Sequence, residues 1–192
     1  MKGWFLLFEL FIKECYDDAI ELKKQFAITE DKKWSALTIT NELFVQLGHY
    51  SFIICNNKFV EENERIINNP KDELSDILLQ LCALCGKLNI DKNYIKSYDF
   101  GITTLNEAVI QLVTLVGQLT ECIMELEGYR HSKERHGYST KIEFMIERIN
   151  KCFSIIFKIA ESQNYDMISE FNLMKKNSLE FLKNYRKEKY YV

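Results

Sequence analysis

Asn69-Pro70-Lys71-Asp72-Glu73-Leu74-Ser75-Asp76-Ile77-Leu78-Leu79-Gln80-Leu81 reads as the start of a helix from its first residue onward. Asn69 is a natural N-cap and Pro70 suits the first helical position, where its missing N–H costs nothing. Asp72 falls in the first turn, where the helix dipole favours a carboxylate. Leu74, Ile77, Leu78, Leu81, Leu84 and Leu88 then recur at the helical period. Gly86 and Asn89 mark the expected end, near Lys87. Glu73 and Asp76 are three residues apart and so share one face of this helix.

Upstream, a second helix is expected over roughly Leu37 to Ile54, with Leu43, Leu47, Tyr50 and Ile54 toward the core. Glu42, Gln46 and His49 follow one another along its opposite stripe. A first helix should run from about Phe5 to Phe26, and the connection carrying Glu61-Glu62-Asn63-Glu64-Arg65 should be partly helical. Downstream, helices are expected over Leu105 to Glu127, from a Thr140/Glu143 capping box through Phe157 and Ile159, and from Met167 to about Lys187. One proline and seven glycines in 192 residues are too few turn-formers for an all-β chain of this length. The chain reads as all-α, a helical bundle forming a single domain over 1–192.

Composition bounds the function. Apolar residues make up 47% of the chain, enough for its own core. The net charge is −3 with basic residues dispersed, which argues against a nucleic-acid surface. The apolar run Trp4–Ile12 is broken by Glu9 and is too short to span a bilayer, so no membrane partner is expected. The six cysteines lie scattered in apolar helical stretches, which suits reduced thiols in a cytoplasmic protein. Cys82 and Cys85 form a C-x-x-C with no second pair at zinc-binding spacing, so core packing is their better reading.

The second half repeats the plan of the first. Glu73–Asp91 aligns with Glu147–Asp166 with one residue inserted, and Gly48 pairs with Gly117. The halves, about 29–98 and 103–187, read as a diverged duplication whose two helix pairs share one core.

Trp34, then Gln46-Leu47-Gly48-His49, then Asp72-Glu73-Leu74-Ser75-Asp76 resembles, in order and spacing, the MazG-like all-α NTP pyrophosphohydrolases. The resemblance covers roughly residues 30 to 91. It implies a site in which Gln46, His49, Glu73 and Asp76 face one another across two helices, with His49 and Glu73 closest to the chemistry. It also implies Mg²⁺ or Mn²⁺ as cofactor and a nucleoside triphosphate, cleaved to the monophosphate and pyrophosphate, as substrate. It leaves room for a homo-oligomer.

The chain departs from the family pattern at Gln46 and His49, where the family has glutamates. Glutamine is a weak neutral oxygen ligand, and imidazole suits Zn²⁺ or Mn²⁺ better than Mg²⁺. Glu42, one turn before Gln46, can point the same way. The equivalents in the second half are Leu115, Gln118, Glu147 and Asn150, which cannot hold a metal as a set. His131 and His136 fall in a charged loop and read as solvent-exposed. Lys175, Lys176 and Arg186 stand where some relatives meet phosphates, although a helix C-terminus attracts bases by itself. Two functions stay open: a metal-dependent pyrophosphohydrolase, or a degenerate scaffold that binds a nucleotide or a protein.

Overall fold

Helix α3 (Pro70–Lys87) begins as its sequence requires: Asn69 is extended and its side chain accepts a hydrogen bond from the Lys71 N–H. From Ile77 to Cys85 every residue of α3 is buried. A helix that is apolar nearly all round belongs at the centre of a bundle, and α3 is packed by four others. A computed structural model describes residues 2–30, 33–56, 60–62, 65–98, 101, 104–129 and 142–190. Around α3 lie α1 (Lys2–Glu30), α2 (Ala36–Asn56), α5 (Ile142–Ser162) and α6 (Met167–Tyr190), while α4 (Leu105–Leu126) packs on α2 and α5.

Residues from all six helices meet in one apolar core, from Ile12 and Leu43 through Leu78, Leu112 and Phe153 to Phe171. The all-α expectation holds, and the helix boundaries lie within a few residues of those expected. α4 is long and apolar enough to cross a bilayer, and its Ala108, Leu112, Val116 and Leu119 face is buried in the core.

Two expectations are corrected. The connection after α2 forms a short antiparallel pair, β1 (Val60–Glu62) with β2 (Arg65–Ile67), rather than a partial helix. β-Branched Val60, Ile66 and Ile67 suit extended backbone, and Ile67 is buried. Nor does Gly86 end α3. It lies inside the helix, and a Cβ there would meet Ile20 Cγ1 at 2.5 Å, so glycine marks the close approach of α1.

The stop belongs to Asn89, whose φ of 54° lets the Ile90 N–H reach the Cys85 carbonyl at 2.9 Å. α5 ends the same way, with Asn164 at φ 53° and the Tyr165 N–H on the Ala160 carbonyl at 2.8 Å. In both places an aspartate then caps the next element: Asp91 the turn at Lys92–Tyr94, Asp166 the helix α6. The aligned segments of the two halves thus close on the same cap. The Thr140 half of the expected capping box, like His131 and His136, lies outside the described residues.

Candidate functional site

A helix turns about 100° per residue, so a step of four advances a side chain by some 40° and a step of three sets it back by some 60°. That difference divides the residues the motif groups together. Glu42 and Gln46 on α2, and Asp72 and Asp76 on α3, are spaced by four, and all four line one cleft of about 930 Å³. His49 and Glu73 belong to the neighbouring stripes, and neither lines the cleft. His49 Nδ1 and Glu73 Oε2 lie 3.3 Å apart, with the Glu73 side chain 2% and the His49 side chain 14% exposed. Of the four expected site residues, Gln46 and Asp76 share the cleft, and His49 and Glu73 meet each other where α2 packs on α3.

The rest of the cleft lining comes from other parts of the chain. α1 contributes Lys23 and Phe26, the segment before α2 contributes Lys33 and Trp34, and α6 contributes Asn177 and Phe181. Lys23 Nζ stands 3.8 Å from the Trp34 ring centroid, a cation over an aromatic face. The cleft is therefore lined by carboxylates together with basic and aromatic side chains. Two polar atoms on its lining residues, Trp34 Nε1 and Gln80 Oε1, are sealed from solvent without a hydrogen-bond partner. Asp72, read from sequence as a dipole-favoured first-turn residue, belongs to this lining. Its spacing of four from Asp76 was the available signal.

Two of the three C-terminal cations hold the fold together. Lys175 pairs with Asp18, and Arg186 donates to Thr29 Oγ1 at 2.8 Å and Gln25 Oε1 at 2.7 Å, tying α6 to α1. Lys176 is exposed.

In the second half, the residues aligned with the site all have structural partners. Leu115 is buried, and Gln118 accepts from Arg148 Nε at 2.7 Å. Glu147 bridges Lys151 and Arg148, and the Lys151 hydrogen bond leads in holding its carboxyl below the usual range. Asn150, at the position aligned with Asp76, donates to the Tyr94 carbonyl at 2.8 Å and accepts from the Lys96 N–H at 3.2 Å. One turn on, Ser154 Oγ accepts from the Tyr98 N–H at 2.8 Å. The segment linking the halves thus lies across α5 along the face aligned with the acidic face of α3.

Metal chemistry has a partial basis here. Among the described residues, no three His, Cys, Asp or Glu side chains converge as a ready-made cage. Cys82 and Cys85 are buried, and burial pushes the Cys85 thiol up to about 12, far from a ligating thiolate. Mg²⁺, however, is usually held by one or two carboxylates together with water and substrate phosphates, not by a full protein cage. Asp72, Asp76, Glu42 and the Gln46 carbonyl supply hard oxygen donors to the lining of one cleft, the donor type such an ion takes. Comparison of the chain with known protein families, with curated proteins and with solved structures finds no match in any of the three.

Proposed function

We propose that this cleft binds a nucleoside triphosphate together with Mg²⁺ or Mn²⁺, and that the chain is a MazG-like NTP pyrophosphohydrolase built from two diverged helix pairs, α2–α3 and α4–α5. The observation that carries the reading is the mixed lining of one cleft: Glu42, Gln46, Asp72 and Asp76 share it with Lys23, Lys33 and Trp34. Carboxylates alone would repel a triphosphate. Carboxylates with a divalent ion, in one cleft with lysines and an aromatic face, suit its charge and its base. When bound, the cation would neutralise phosphate charge and lower the pKa of a coordinated water.

On this reading Asp76 and Asp72 hold the ion's protein side, with Glu42 and Gln46 completing it or holding water. Lys23 and Lys33 take up phosphate charge. His49 and Glu73 become positioning residues, since their contact fixes the register of α2 on α3 beside the cleft carboxylates. The substrate is a free nucleotide; no nucleic-acid or membrane partner enters, and the reaction suits a cytoplasmic protein.

The second reading, a degenerate scaffold that binds the nucleotide without cleaving it, is favoured by one observation. Glu73, the glutamate that the family resemblance places among the metal ligands, is engaged with His49 and nearly solvent-free. Pyrophosphate release from a panel of NTPs and dNTPs, with Mg²⁺ or Mn²⁺, separates the two. Turnover abolished by Asp76→Asn supports the hydrolase. Metal-dependent binding without turnover supports the scaffold, and neither binding nor turnover overturns both.

A further inference from the structure

Gln80 lies one turn beyond Asp76 on α3 and lines the same cleft. It is 4% exposed, and its Oε1 is sealed from solvent with no hydrogen-bond partner. A buried amide oxygen left unpaired weakens a fold, which is why such atoms are rare unless something else requires them. Of the four buried side-chain atoms in this condition among the described residues, two are carried by residues that line this cleft: Gln80 Oε1 and Trp34 Nε1. One is an acceptor and the other a donor.

Asp72, Asp76 and Gln80 follow one another along α3 at steps of four, each turned by some 40° from the last and the three rising about 12 Å at ~1.5 Å per residue, and all line the cleft. A ligand whose phosphates lie at the carboxylate end directs its far end along α3 toward Gln80. Phosphate oxygens accept hydrogen bonds and cannot satisfy an unpaired acceptor. The flat amide of glutamine, by contrast, offers an acceptor beside two donors, and its terminal torsion is soft enough to turn either toward the cleft. The matching group is a planar edge with a donor next to an acceptor, as a nucleobase presents.

We propose that Gln80 is a specificity-determining residue that reads the hydrogen-bonding edge of a nucleobase, its phosphates lying at the Asp72–Asp76 end. This rests on the nucleotide reading above. An unsatisfied buried amide held for a ligand weakens the free protein and strengthens the complex. A residue kept for packing alone does neither.

The test pairs Gln80→Leu with the parent in thermal unfolding and in calorimetric titration of Mg²⁺ with each NTP and with inorganic tripolyphosphate. Gln80→Leu should raise Tm by roughly 2–4 °C. It should also weaken the preferred nucleotide about 10-fold or more while leaving tripolyphosphate unchanged. Gln80→Met, closest in shape, serves the same purpose if the leucine variant does not fold. Unchanged nucleotide affinity in a folded variant would overturn the role of Gln80 and leave the nucleotide reading intact. Equal losses for nucleotide and tripolyphosphate would overturn base reading specifically. No binding of any nucleotide to the parent would overturn the functional reading and this inference together.

Discussion

Glu73 is a carboxylate taken almost wholly out of water, and His49 stands 3.3 Å from it. Burying such a group is costly unless polar partners replace the lost water. His49→Leu should therefore destabilise the fold by about 1–3 kcal/mol in urea unfolding. A null effect would show that Glu73 is held by its other contacts. The sequence made both residues visible but paired each with the wrong neighbour. A step of three looks like a shared face on paper, yet its offset of about 60° is enough to send Asp76 to the cleft and Glu73 to the helix interface. Asp166 offers a second test. The Ser169 hydroxyl, followed by the Ser169 N–H, holds its carboxyl below the usual range. A depressed carboxyl stabilises the fold fully above its unfolded value, near about pH 4, and loses that contribution as pH falls through its folded value. Asp166→Ala should cost about 1 kcal/mol near neutral pH and distinctly less near about pH 2.5, read from urea midpoints.

Among the elements, α3 was the most legible, because cap, proline, acidic first turn and apolar run all agree on one answer. Its end near Lys87 and the stop at Asn89 were legible too, and only the part given to Gly86 was not, since glycine both stops helices and admits close neighbours and sequence does not say which. The α1 contact decides it: Ile20 fills the space where a Gly86 Cβ would stand. Gly86→Ala improves helix propensity by about 1 kcal/mol but overpacks a helix contact at a cost of about 1–3 kcal/mol. The net prediction is a lower urea midpoint, partly recovered by adding Ile20→Ala. A stabilised Gly86→Ala would mean that α1 is free to move away. The antiparallel pair β1–β2 escaped because strands of three residues are too short for alternation to register.

Across the whole molecule, all-α character followed from scarce prolines and glycines and sustained helical periods, both additive over the chain. The cleft was harder to read, because its basic and aromatic lining comes from α1, α6 and the segment before α2. Half of that site therefore lies in places where sequence offered ordinary lysines and aromatics. The core makes its own prediction. Cys55 is exposed and the other five cysteines are buried, so one thiol should react quickly with a disulfide reagent and five more on unfolding. Faster reaction of several thiols would show a loosely packed bundle. The most direct test of the central claim is a calorimetric titration of an NTP into the protein with Mg²⁺, beside Asp76→Asn and a metal-free control. Saturable binding that requires the ion and falls at least about tenfold in the variant is expected. Binding that is indifferent to both the metal and Asp76, or no binding at all, would contradict that claim.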